Sequence, residues 1–138
     1  MTQREQQTGV HTSEAVTEGV RVQVTARYSP ERSEPLRNLW LFLYTIEISN
    51  EGPDTVQLIS RHWIITDADN KVEEVRGLGV VGQQPTLAPG ESFEYTSSCP
   101  LPTPFGTMQG TYHMVTSSGQ RLEVAVATFT LSEPYTIH

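Results

Sequence analysis

No part of this chain sustains the 3.6-residue apolar period of an amphipathic helix, while two-residue alternation returns again and again; together these rule out most architectures. Residues 20–28 show the alternation most plainly. Val20, Val22, Val24, Ala26 and Tyr28 fall on one side, and Arg21, Gln23, Thr25 and Arg27 on the other. Period two with one apolar side describes a half-buried strand.

Turn chemistry separates similar segments along the chain. A polar SPERSEP loop leads to residues 39–48 (LWLFLYTIEI), apolar on both faces at first and alternating later, as in a central strand covered at one end. Asn50-Glu51-Gly52-Pro53-Asp54 is a strong turn, so the following strand is expected to return antiparallel. Residues 55–67 are β-rich, with alternation that slips around Ser60–His62 as at a β-bulge. Asp69-Asn70 reads as a hairpin tip, and residues 71–76 as a short, charged edge strand. Leu87-Ala88-Pro89-Gly90 is a further turn before the alternating SFEYTSS. Pro100, Pro102, Pro104 and Gly106 fill a stiff loop with no place in a central strand. Residues 111–116 and 121–131 flank Ser117-Ser118-Gly119-Gln120 as a hairpin. Apolar parity in the last strand moves from Leu122, Val124 and Val126 to Phe129 and Leu131, which predicts a second bulge. About seven short strands with turns between them make an all-β chain, an antiparallel β-sandwich of fibronectin type III or immunoglobulin-like character. Residues 1–19, poor in large apolar side chains, read as a polar, flexible N-terminal tail, and residues 20–138 as one domain.

The chain has 138 residues, a net charge of −7 and a pI near 5.0. Such a balance disfavours nucleic acid and anionic membrane as partners, since both demand basic faces. The single cysteine, Cys99, has no internal disulfide partner, and no apolar run approaches the roughly 18 residues of a membrane span. The N-terminal residues lack the apolar core of a signal peptide, so a cytoplasmic location is expected.

Gly77, Gly79 and Gly82 are spaced as G-x-G-x-x-G, the pattern of a dinucleotide-binding turn. That turn needs a helix starting at the third glycine, and Pro85 and Pro89 follow too soon, because proline inside a helix costs roughly 3 kcal/mol. The glycines are therefore expected in a loop between strands.

The same stretch carries a family resemblance. Residues 77–95 (GLGVVGQQPTLAPGESFEY) and 103–114 (TPFGTMQGTYHM) resemble the signature of the bacterial ApaG family, and the likeness extends over roughly residues 20–131. The resemblance implies a fibronectin type III-like sandwich and genes that neighbour those of a diadenosine-tetraphosphate hydrolase. It also implies kinship with eukaryotic domains that serve as interaction modules, and it carries no established enzymatic activity and no catalytic residue.

For function, two expectations follow. The first is a non-catalytic module that binds an as yet unknown protein partner through loops, with Pro104 and Phe105 on the stiff loop as candidate contacts. The second is an anion or nucleotide site in which Arg76, Gly77, Gly79 and Gly82 hold a pyrophosphate against backbone amides, set against glycines that serve only backbone conformation. No Walker lysine is present. His11, His62, His113 and His138 lack local metal-ligand spacing, although His62 and His113 could meet on facing strands; neither a metal nor a cofactor is expected. Cys99 matches no cysteine-enzyme signature and reads as a structural thiol. Asp67, Asp69, Glu73 and Glu74 read as a solvated hairpin lacking EF-hand spacing. Phe93, Tyr95, Met108, Tyr112 and Met114 are expected in the core. An exposed edge strand would also admit a homodimer by strand addition.

Overall fold

The computed structural model describes residues 9–134. Nine strands occur among them: β1 (His11–Thr17), β2 (Val20–Tyr28), β3 (Trp40–Asn50), β4 (Val56–Asp67), β5 (Val72–Leu78), β6 (Thr86–Leu87), β7 (Ser92–Leu101), β8 (Phe105–Thr116) and β9 (Arg121–Ser132). Single 3-10 turns at Pro30–Arg32 and Pro35–Arg37 occupy the polar loop before β3. One sheet has the order β1-β2-β3-β7 and the other β5-β4-β8-β9, with β6 pairing β4 beyond the end of β5. All pairings are antiparallel. The two sheets form the expected sandwich, and among the described residues no helix is long and apolar enough to cross a membrane.

The sheets stack with β1 over β9 and β7 over β5. On the first side the layers are stitched together: Ser13 Oγ donates to the Ala127 carbonyl (2.9 Å), and the Ala125 amide donates to Thr17 Oγ1 (3.1 Å). The β5/β7 side stays open. At the base of the molecule Gly9 lies against Pro134 and Ser132, bringing the two ends of the described chain together.

Several expectations need correction. Part of the 1–19 segment is a strand: His11–Thr17 pairs with β2 residue for residue, from His11 opposite Ala26 to Thr17 opposite Val20. None of its side chains is fully buried, so backbone pairing rather than apolar burial holds it, and hydropathy carries no trace of it. Residues 1–8 fall outside the described residues. With β1 and the short β6, seven strands become nine. The turn after β3 is present, and it carries the chain to the opposite sheet, a crossing the sequence does not specify. Asn50, 1% exposed, donates from Nδ2 to the Asp54 and Leu87 carbonyls (2.7 and 2.9 Å), and its Oδ1 accepts from the Gly52 amide. These bonds steer residues 50–54 across to the opposite sheet. The proline-rich loop is shorter than expected, because Pro100 lies within β7 and Gly106 within β8; β7 is an edge strand, where proline is tolerated.

Both bulges exist. The β4–β8 register shifts between Leu58 and Ser60, placing the first at Ile59, just before the expected stretch. The β8–β9 register shifts where Met108 faces Phe129 and Gly110 faces Val126, placing the second in β9 at residues 127–128. The core centres on Trp63, whose indole meets Tyr44, Tyr112 and Phe129 edge-on, with centroids 5.7, 6.0 and 6.2 Å away. Rows of buried Val, Ile and Leu from β2, β3 and β9, with Met108 and Met114 from β8, surround it.

Candidate functional site

The bulge in β4 decides the chemistry of the open side. Val56 and Leu58 point inward; after the extra residue at Ile59, the inward parity passes to Arg61, Trp63 and Ile65. An arginine thereby takes a core-facing position. Its Nη1 donates to the carbonyls of Leu78 (3.0 Å) and Gly79 (2.8 Å) on the neighbouring β5 segment. Directly across from it stands Gly77. A Cβ on Gly77 would sit 2.9 Å from Arg61 Nη1 and 3.0 Å from Cζ, so this glycine supplies the room in which the guanidinium lies.

The other two glycines shape a tight turn. Val80 and Gln83 exchange backbone hydrogen bonds of 2.8 and 2.9 Å around Val81 and Gly82, whose φ values of 43° and 78° make a type I′ turn. Gly79, at φ 62°, donates its amide to the Ile59 carbonyl (2.8 Å), and a Cβ there would run into the Gln83 carbonyl oxygen. Gln84 Nε2 also reaches the Ile59 carbonyl (2.9 Å). The turn is thus fastened to the bulge that turns Arg61 inward.

Between this segment and β7 lies a cleft of about 470 Å³. Trp63, Ile65, Val75 and Met108 form its apolar lining, Ser97, Ser98 and Cys99 its β7 wall, and Glu73 and Val81 part of its rim. Behind the cleft the phenol of Tyr95, one of its lining residues, meets that of the fully buried Tyr112 at 2.5 Å. Burial raises the ionisation of Tyr44, Tyr95 and Tyr112 above the ordinary phenol value; at each, the positive charge of Arg61 opposes the rise. Burial, with a smaller contribution from Glu73, pushes the Cys99 thiol up to about 12.

The residues singled out in the sequence divide between two faces. Gly77, Gly79 and Gly82 belong to the inward Arg61 assembly. Arg76 instead lies on the outer face, 70% exposed at its side chain, with Nη2 3.4 Å from Glu74 Oε1. That same carboxylate oxygen meets His62 Nε2 at 2.7 Å. His62 and His113 do come near each other, on neighbouring strands with Ser60 opposite His113 and His62 opposite Thr111, and both border a shallow groove with Arg76. Among the described residues no group of three or more His, Cys, Asp or Glu side chains is placed to hold a metal. The acidic cluster is spread over separate tasks: Asp67 Oδ1 accepts from the Asp69 and Lys71 amides to shape the hairpin tip, while Glu73 faces the cleft. Pro104 and Phe105 are exposed, Phe105 at 47%, and Thr103 Oγ1 ties their loop to that tip by accepting from the Ala68 amide. Tyr95, Met108, Tyr112 and Met114 are buried and Phe93 is half-buried. Sequence reasoning missed Arg61 altogether; the slip in alternation around Ser60–His62 was its one trace.

The ApaG domain model matches residues 30–116, a span that takes in the β4 bulge, Arg61, the glycine turn and both walls of the cleft. The chain belongs to the ApaG family. ApaG of Bordetella pertussis is 61% identical over 117 residues, covering 85% of this chain and 89% of that protein. ApaG of Methylobacterium sp. strain 4-46 is 54% identical over 121 residues, covering 88% and 93%. The crystal structure of the ApaA protein from Bordetella pertussis superposes with a TM-score of 0.83 at 58% identity, covering 88% of this chain and 100% of that one. ApaG membership and the sandwich therefore stand together.

Proposed function

We propose that this protein is a binding module without a reaction of its own, and that its partner is a protein docking at the 80–83 turn. The observation that carries this reading is the exposure of Leu78 (75%) at the end of β5 and of Val81 (51%) on that turn, both bordering the cleft. Val81 is β-branched and held at φ 43°, an arrangement that costs roughly 1–2 kcal/mol. Strain of this kind collects at functional sites. Phe105, at the start of β8 with its carbonyl accepting from Thr103 Oγ1, offers a second exposed apolar contact. The absence of a reaction is supported by the cleft's own titratable groups: a thiol raised to about 12 and phenols raised above their ordinary value are poor nucleophiles and bases near neutrality. A pyrophosphate held by Arg76 with the glycine-loop amides has weaker support, because the Gly79, Val80 and Gln83 amides already donate internally and Arg76 faces outward.

The test is photo-crosslinking in cells that make the protein natively. A photo-reactive residue at position 78 or 81 is expected to capture the same discrete protein, and one at position 47, on the outer face of β3, to capture none. Indistinguishable labelling from all three positions overturns the reading.

A further inference from the structure

Arg61 has more donors than the fold uses. Nη1 is committed to the Leu78 and Gly79 carbonyls, whereas Nε and Nη2 donate to no described residue, and no carboxylate among the described residues pairs with the guanidinium. The guanidinium is half-buried on the core-facing side of β4, in a chain of net charge −7, and its free edge is left for a partner from outside the chain. Its unused edge, Nε–H beside Nη2–H, is the parallel pair of donors that takes the two oxygens of an anion side-on. Around it the cleft supplies Trp63, Ile65, Val75 and Met108 as apolar lining and the inward-facing Ser97 on the opposite wall. A volume near 470 Å³ falls within the range of small-molecule sites.

We propose that the cleft between β5 and β7 binds a small monocarboxylate with an apolar body, its two oxygens on Nε and Nη2 of Arg61 and its body against Trp63, Ile65, Val75 and Met108. Glu73 on the rim sets the charge of the ligand. A monoanion passes it at little cost, whereas a phosphate monoester, carrying nearly two charges near neutrality, meets stronger repulsion. This site adjoins the proposed docking surface, since Leu78 and Val81 also line the cleft, but it rests on Arg61 and the interior lining and stands whether or not a protein docks on the turn.

The experiment is a backbone and arginine-side-chain NMR titration of the full chain with 3-phenylpropionate, its neutral amide 3-phenylpropionamide, and phenyl phosphate. The carboxylate is expected to shift the Arg61 Nε–H signal and the amides of residues 77–80 saturably, with the amide probe about tenfold or more weaker, as the loss of a charge-assisted pair requires. Arg61→Gln is expected to weaken the carboxylate by a similar factor. Because Arg61 also braces β5, Glu73→Gln provides a variant at an exposed position: it should tighten the carboxylate about threefold and narrow its advantage over phenyl phosphate. Equal affinity for acid and amide, shifts that do not saturate, or no response to Glu73→Gln overturns the proposal. Tighter binding of phenyl phosphate than of the carboxylate by the unaltered protein overturns the monocarboxylate assignment.

Discussion

Val81 and the Tyr95–Tyr112 pair show how single residues in this sandwich trade stability for position. Val81 occupies a left-handed slot that asparagine or glycine fills at lower cost. Val81→Asn is therefore expected to raise unfolding stability by about 1 kcal/mol in a denaturant titration, an unusual gain from removing an apolar side chain. The phenol pair behaves in the opposite sense. Tyr112 is wholly buried, and among the described residues every buried side-chain oxygen and nitrogen has a hydrogen-bond partner. Tyr95→Phe strands the Tyr112 hydroxyl and should cost about 1–3 kcal/mol, whereas changing both tyrosines to Phe should cost less than the single substitution. A double-mutant cycle measured by chemical denaturation checks this; a double variant less stable than Tyr95→Phe contradicts it.

At the scale of the strand, legibility followed burial. β2, β3, β8 and β9 place alternating apolar residues on a fully covered face, and the sequence displays them openly. β5 was legible for a different reason, since its charges mark it as an edge. β1 was illegible because its stabilisation lies in the ladder with β2 and in two polar contacts with β9. That the chain changes sheets after β3 is not legible, because one buried side chain, Asn50, sets the path of a turn whose composition marks only that it turns. Arg61 escaped notice for a related reason: a polar residue at a bulge looks like noise in the alternation, although the bulge gives it an inward place. The β1 account predicts that a chain starting at residue 18 still folds, with a Tm lower by roughly 10 °C. Its uncovered β2 edge should cause concentration-dependent association in sedimentation velocity. An unchanged Tm and a monomeric shortened chain would contradict that account.

Across the whole molecule, the buried phenols tie stability to alkaline pH. Folding raises the ionisation of Tyr44, Tyr95 and Tyr112, chiefly through burial, above the value of 10.0 that an exposed phenol has. The unfolded chain therefore loses these protons first, so their contribution is complete below about pH 10 and is lost as pH climbs beyond it. Cys99, raised to about 12 by the same burial, acts in the same direction. Stability should hold level through neutrality and fall steeply above pH 10, with tyrosinate absorbance of the buried phenols appearing only as far-ultraviolet circular dichroism is lost. Phenols that ionise while the dichroism persists would show that the β7 wall opens without global unfolding. The meeting of Gly9 with Pro134 has a different consequence. With residues 9 and 134 in contact, the stretch between them is nearly a closed loop, and where that loop is cut becomes a matter of choice. Linking residue 134 to residue 9 and reopening the chain between Ser118 and Gly119, at the exposed β8–β9 turn, leaves every strand pairing in place. Such a circular permutant should reach the same sandwich by a different order of synthesis, with β9 leading and β8 made last.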